Sequence, residues 1–493
     1  MLFSNSLRQM RGTAFQTIAV LTGTLSNLSD GMHFGWMSPM GPFLLSPDSP
    51  IKADKSDISL LETLFVLGGL FGLPITIYLM DKIGPKKTIL VAAVESLIAW
   101  IIIASTSSMA LLFVARFIAG ISGDVNFMAV PVYVAEISDK KIRGVLGSSC
   151  IIMLMLGILI IYAVGPYTSI PVSAAIGIFI LLTHFLTFPF MPDSPYFLLM
   201  TNQKDKAKES LTVFRSLKDV EIELEEIADS LKVDISESKG FLDLFSVRSN
   251  LKVTMIITVL CFAQNFSGLT AMLMNVHSIL NEAGGSISSN TAAILYSVMM
   301  LVGCIFCGIL IDVTGRKILL CTSTLLTTIS LFILAIYFTV KNNHINVTRF
   351  SWLPVFSVLL YAFTFEIGFA FVPTLLITEL YPTNIKSKGI AYALGVFEIT
   401  GILSLITYQL LQKFGMQVSF FLFGSCCALT FLFSVFVVPE TKGKSFSEIQ
   451  HLLKEEETPN VSNNSIFEES EETRLDENLH RQRNNYGTNN DKN

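Results

Sequence analysis

The feature that most constrains this chain is a succession of about twelve apolar stretches, each close to the roughly 20 residues that a helix needs to cross a hydrocarbon layer. They fall near 15–40, 58–80, 88–107, 109–136, 145–167, 170–190, 253–281, 291–311, 317–340, 354–380, 389–413 and 416–438. Lipid offers no partner for backbone N–H and C=O groups, so only helices or closed barrels span it, and continuous runs of this length select the helix. Composition agrees: 51% of residues are hydrophobic and 15% are charged, against about 25% charged in a soluble protein. The chain reads as an all-α membrane protein whose length is consumed by spans. No Walker loop, dinucleotide glycine pattern, metal-ligand cluster or nucleophile elbow is present, so no enzyme is expected, nor a cofactor, metal or nucleic-acid partner.

Charges fix the orientation. Counting loops alternately, one set holds Lys82, Lys86, Lys87, Lys140, Lys141, Arg143, Arg316, Lys317, Lys386 and Lys388 with a basic stretch at 204–218, whereas the other holds chiefly Lys52, Lys55, Lys341, Arg349 and Lys413. The positive-inside rule places both termini in the cytoplasm of a multi-pass protein, for which the cell membrane and a monomeric state are expected. The first apolar run is long enough to span and stay, so no cleavable signal peptide is read. All seven cysteines lie in or beside apolar runs, where thiols act as small hydrophobes and no disulfide framework is expected. Asn346-Val347-Thr348 falls in an outer loop and is a candidate glycosylation site, whereas the sequons at Asn27 and Asn265 lie within spans.

Between Pro192 and Asn250 the apolar pattern gives way to a charged segment that splits the spans six and six. The expected organisation is a cytoplasmic N-terminus (1–14), a six-helix bundle (15–190), a cytoplasmic helical linker (191–252), a second six-helix bundle (253–438) and a cytoplasmic tail (439–493). The tail after about residue 458 is too poor in apolar residues to order itself. The halves repeat each other. Asp81-Lys82-Ile83-Gly84-Pro85-Lys86-Lys87 follows the second span and Asp312-Val313-Thr314-Gly315-Arg316-Lys317 the eighth. Glu136 precedes Arg143 by seven residues, as Glu379 precedes Lys386. Such a parallel duplication is a transporter signature, with substrate expected where the halves meet near mid-membrane.

On these residues the chain resembles the sugar porters of the major facilitator superfamily. Pro192-Asp193-Ser194-Pro195-Tyr196-Phe197-Leu198-Leu199 is similar to the family's PESPRWLL, and Pro439-Glu440-Thr441-Lys442-Gly443 is its PETKG. Arg116 with Gly120, Arg143-Gly144, and Gln264-Asn265-Phe266-Ser267-Gly268 (family QQLSG) extend the match over about residues 15–450. Ser38-Pro39 behind Gly35-Trp36 resembles insect trehalose-transporter-like members, and Phe365-Glu366-Ile367-Gly368 resembles animal glucose facilitators. The resemblance implies a major facilitator fold of 12 transmembrane helices that moves a hexose or trehalose by alternating access. Facilitative uniport is favoured. Proton-coupled symport, a non-transporting sugar sensor and a porter for another organic solute stand as alternatives.

It also implies the site residues. Gln264 matches the first glutamine of span seven, Asn265 replaces the second, and Glu366 matches an acid of span ten. Elsewhere the pattern is altered: Tyr162 stands for a glutamine, Thr270, Met300 and Glu398 for asparagines, and Thr374 for a tryptophan. The expected substrate-binding set is Gln264, Asn265, Thr270, Glu366, Thr374, Glu398 and Tyr162. Ion pairs among Glu136, Arg143, Asp193, Arg316, Glu379, Lys386 and Glu440 are expected to close a cytoplasmic gate, each exposed pair worth only about 0–1 kcal/mol so that it can open. A charge at mid-membrane costs about 2.5–3.5 kcal/mol even on insertion scales, which singles out Glu366 and Glu398 as cavity-facing and leaves Asp30 and Asp124 as paired or water-lined groups. Glu398 and His33 are the candidate proton sites, His33 falling where proton-coupled porters place an aspartate.

Overall fold

The computed structural model describes residues 2–139, 141–215, 220–237, 240–285, 287–382, 384–444 and 448; the tail expected to be disordered lies outside them. Eleven helices among these residues are long and apolar enough to cross a membrane: Lys55–Ile83, Pro85–Ser105, Met109–Ile137, Arg143–Tyr167, Ile170–Phe190, Arg248–Ala283, Ser289–Ile311, Arg316–Asn342, Thr348–Leu380, Lys386–Phe414 and Met416–Phe436. We number them spans two to twelve. Span one precedes them in three consecutive pieces, Leu2–Gly23, Leu25–Gly35 and Met37–Leu44. Span seven opens at Arg248, a turn before the expected boundary, because the polar first turn through Lys252 hides from a hydropathy reading.

Local chemistry sets the ends. Span two begins with a capping box: Asp57 N–H donates to Asp54 Oδ1 (2.8 Å) and Asp54 N–H to Asp57 Oδ2 (3.0 Å), which satisfies two of the donors that a helix start leaves open. Spans three and nine each follow a glycine at positive φ, Gly84 (82°) and Gly315 (94°), a conformation that a side chain disfavours. The linker contributes the helices Pro195–Met200, Lys204–Phe214, Val220–Glu237 and Asp243–Ser246. It docks on the first half at the ends of spans one and four: Gln16 Nε2 donates to the Phe214 carbonyl (2.7 Å) and Arg215 to that of Ile137 (2.9 Å).

Within the first half, span two packs on four, three on four and six, and one on five; within the second, nine packs on ten and twelve, eight on ten, and seven on eleven. Small residues bring backbones together. A Cβ on Gly120 would stand 1.9 Å from the Phe65 carbonyl oxygen, and one on Gly157 2.0 Å from that of Leu28. Such close crossings are how membrane helices gain packing and dispersion contacts where lipid supplies no hydrophobic drive. The halves meet through spans two and eleven, five and eight, and the outer pieces of one and seven.

Candidate functional site

Span seven is broken at its centre. The helix Arg248–Asn265 ends, Gly268 turns at φ 86° with Phe423 where its Cβ would be, and a second helix runs over Leu269–Ala283. A break of this kind frees backbone groups in a place that water cannot reach, and they need internal partners. Hydroxyls supply two of them, Ser267 Oγ donating to the Gln264 carbonyl (2.6 Å) and Ser404 Oγ to that of Asn265 (2.7 Å), while the side-chain amides at the break reach the neighbouring spans. Gln264 Nε2 donates to the carbonyls of Phe369 (3.0 Å) and Ala370 (2.9 Å). Asn265 Nδ2 donates to the Phe397 carbonyl (2.9 Å) and Thr400 Oγ1 (3.0 Å). The expected sugar-binding amides thus also fasten span seven to ten and eleven.

Span ten is irregular at the same depth. Phe365–Phe369 form a π-turn, an insertion that releases carbonyls and recurs at functional sites; those at Phe369 and Ala370 are the ones that Gln264 holds. Glu366 lies in this turn, buried, its Cβ pressed against Gly303 of span eight, and it makes no hydrogen bond to a described residue. The structure therefore brings Gln264, Asn265 and Glu366 to one level.

The other expected members scatter around them. Thr270 is buried in the first turn beyond the break. Tyr162 reaches across from span five, where its hydroxyl donates to the Leu273 carbonyl. Thr374 is exposed. Met300 is buried among core side chains, a packing role. Glu398 turns toward the first half, where Gly69 of span two has no Cβ to block it (2.8 Å from Glu398 Oε2 to an ideal Cβ), and stands in electrostatic range of Asp124 on span four. Asp124 Oδ2 accepts from Thr76 (3.4 Å).

The N-terminal half holds the remaining charges. Asp30 is a hydrogen-bonded acceptor, taking Asn126 Nδ2 (2.7 Å) and Ser122 Oγ (3.3 Å). His33 stacks on Trp100, ring centroids 3.8 Å apart, and offers Arg116 its backbone carbonyl (2.7 Å). Arg116 lies over the Phe65 ring at 4.2 Å, and its Nε and NH2 have no partner among the described residues. Its neighbouring acid is Glu62, which sequence reading passed over and which lies within electrostatic range.

Among the described residues, hydrogen bonds join the two halves at the ends of the spans opposite the linker. Ser38 Oγ and His277 Nδ1 share a hydrogen bond of 2.7 Å, and His277 N–H donates back to Ser38 Oγ (3.2 Å). Gln409 Nε2 donates to the Ser59 carbonyl (3.0 Å) and Glu62 Oε2 (3.1 Å). With Tyr162 on Leu273, they hold the halves together at that end.

The cytoplasmic charges behave differently from expectation. Arg316 grips Glu379 Oε1 through Nε (3.2 Å) and NH2 (3.1 Å), and Thr441 donates to the other oxygen of Glu379. Glu440 accepts N–H bonds from Arg316 (3.0 Å), Lys317 (3.0 Å) and Lys442 (2.9 Å), capping span nine at its positive dipole end. Partial burial alone would raise the Glu440 carboxyl, but these N–H groups with that of Thr441 outweigh it and hold the carboxyl below its ordinary range. This network ties the inner ends of nine, ten and twelve within one half. In the other half, Arg143 NH2 donates to the Ser138 carbonyl (3.3 Å) and Glu136 stands beside Ser194. Asp193 lies in electrostatic range of Lys86, and Lys386 has no ion-pair partner among the described residues.

Residues 16–453 match the model of a family described as "Sugar (and other) transporter". The chain is similar to the facilitated trehalose transporter Tret1 of Bombyx mori, 31% identical over 446 residues, 89% of this chain and 86% of that one. It is similar also to the protein of that name from Polypedilum vanderplanki, 31% identical over 442 residues, 89% and 88% of the two chains. Among solved structures it resembles the inward-open conformation of the xylose transporter XylE from E. coli, with a TM-score of 0.73 at 21% identity over 88% of this chain and 98% of that one. The proton:xylose symporter XylE bound to 6-bromo-6-deoxy-D-glucose gives 0.72 at 21% identity, over 90% and 100%. That likeness shows the fold, which is the twelve-helix arrangement expected from the sequence.

Proposed function

The chain belongs to the sugar (and other) transporter family, and from that premise we propose that it carries a small carbohydrate, a hexose or trehalose, across the cell membrane as a facilitative uniporter with both termini in the cytoplasm. The observation that carries the reading is the distribution of bonds between the halves. Ser38–His277, Gln409–Glu62 and Tyr162–Leu273 join them at the outer ends, whereas the Arg316–Glu379–Glu440 network lies within one half on the inner side. Alternating access requires such a seam on one side that opens as its counterpart forms on the other. In this reading Glu136, Arg143, Asp193, Arg316, Glu379, Lys386 and Glu440 stiffen and align the inner ends that must meet in the opposite state.

Substrate lies beside the break of span seven. Sugar hydroxyls need converging acceptors and donors, and Glu366 presents an acceptor that no described side chain uses, beside Gln264, Asn265 and Thr270. The relatives' name, facilitated trehalose transporter, supports both the sugar and the uncoupled mode. A second reading, proton-coupled symport, is favoured by one feature, the meeting of Glu398 and Asp124 across the two halves. Purified protein in proteoliposomes, tested by exchange of a panel of labelled sugars and other organic solutes, separates these: exchange of a sugar supports a porter, binding without flux makes it a sensor, and exchange of a non-sugar alone overturns the carbohydrate reading. We place an N-glycan at Asn346, which is exposed in the outer loop and accepts from Thr348 N–H and Oγ1 (3.0 and 2.7 Å).

A further inference from the structure

Beyond the level of Gln264 and Glu366 lies a second polar layer that shares Tyr162 and His277 with the seam between the halves and holds polar atoms which that seam leaves unused. His277 has its Nδ1 engaged by Ser38, yet its Nε2, on the opposite edge of the ring, is buried without a partner among the described residues. The Tyr296 hydroxyl is in the same condition, in a side chain with no exposed surface. The two are joined by Tyr162, whose ring meets His277 edge-on at 5.2 Å and stacks with Tyr296 at 6.5 Å. Spans five, seven and eight therefore put an aromatic wall and two unanswered polar atoms in one place between the halves. Tyr361 of span ten, beside the Ser267 hydroxyl, flanks Tyr296.

The depth of this layer follows from helix geometry. Gly303, against which the Glu366 Cβ rests, is seven residues after Tyr296 on span eight, or about 10 Å along the axis. Tyr361 precedes Glu366 by five residues on span ten, about 7 Å outward. Aromatic faces and hydroxyl-directed donors are the chemistry that recognises a sugar ring, and buried polar atoms left without partners are costly unless a ligand or water answers them.

We propose that His277, Tyr296 and Tyr162 form a second subsite, outward of Gln264 and Glu366, that takes the second ring of a disaccharide. The assignment rests on the carbohydrate-transport reading above and deepens it: the preferred substrate is a two-ring sugar spanning both layers, with a monosaccharide filling the inner layer alone. Tyr296 and His277 set that preference by bonding hydroxyls of the outer ring.

The test uses the full-length protein in proteoliposomes, with labelled trehalose and glucose as probes and exchange measured over a concentration series. Wild type is expected to give a higher kcat/KM for trehalose than for glucose. Tyr296→Phe, which removes one oxygen and keeps the ring, is expected to lower the trehalose-to-glucose ratio about fivefold, the effect of one neutral hydrogen bond. Equilibrium binding of trehalose to Tyr296→Phe in detergent reads the same loss without requiring transport. An unchanged ratio, or equal loss for both sugars, overturns the subsite and leaves the transport reading standing; the atoms then hold water or serve packing. Exchange of neither sugar by wild type overturns both.

Discussion

Removing one hydroxyl from the outer seam should reset the conformational balance of the whole molecule. Ser38 Oγ makes two hydrogen bonds to His277, at 2.7 and 3.2 Å, between spans one and seven. Both exist only while the outer ends are together. At about 1 kcal/mol net for each, Ser38→Ala withdraws about 2 kcal/mol from the outer-closed state. Each 1.4 kcal/mol is a factor of ten, so the ratio of outer-closed to outer-open molecules should fall about 30-fold. Ser38 also lies in hydrogen-bonding reach of the Tyr162 hydroxyl in its own half, so the unfolding temperature of Ser38→Ala is measured alongside to separate a shifted balance from simple destabilisation. Spin labels at Ser107 and Asn343, exposed outer positions in the two halves, report the change as a distance distribution by electron–electron resonance. A second, longer distance population should emerge in Ser38→Ala. Superimposable distributions in mutant and parent, with equal labelling, would refute the assignment of this bond as part of the outer gate.

Other perturbations test other parts. Glu366→Gln is expected to lower sugar exchange about tenfold while surface delivery is unchanged, since a bond to a charged acceptor in a dry site contributes about 1.5–3 kcal/mol; full activity would remove Glu366 from the site. Gly315→Ala places a Cβ 2.7 Å from Glu440 Oε2 at φ 94°, and should lower the unfolding temperature in detergent through about 1–3 kcal/mol of local strain; an unshifted transition would show that the cap is dispensable. Because the Glu440 carboxyl is held below its ordinary value of 4.5, its stabilisation is fully present above that pH and disappears as acidification passes through the folded value. Wild type should therefore lose more thermal stability than Glu440→Gln over that acidic interval, and parallel pH curves would count against the cap.

The sequence carried the architecture because the bilayer makes it nearly one-dimensional. Twelve apolar runs and the duplicated loops suffice for the helical class and the twelve-helix fold. The break at Gly268 was not legible in the apolar run 253–281, and nothing local signalled the π-turn at Glu366, whose released carbonyls are taken up by Gln264, over a hundred residues earlier in the chain. The outer seam was illegible for the same reason: Ser38 and His277 are 239 residues apart and Glu62 and Gln409 347. Glu62 was detectable in principle, being an ionisable residue inside a span like Glu366. The partners of the charges in the duplicated loops were not legible. Charge patterning gives the candidates, while only the fold decides that Glu379 meets Arg316 of its own half and that Glu440 caps a helix.

The claim that this chain is a facilitative sugar porter is tested most directly by the end point of uptake. Proteoliposomes holding the wild-type protein are given labelled trehalose or glucose with an imposed inward proton gradient, with and without a protonophore. A uniporter cycling between the outer-closed state seen here and its opposite has no source of work, so internal sugar should rise to the outside concentration and stop there, whatever the gradient. Accumulation above that concentration, abolished by the protonophore, would contradict the account and turn attention to Glu398 and Asp124.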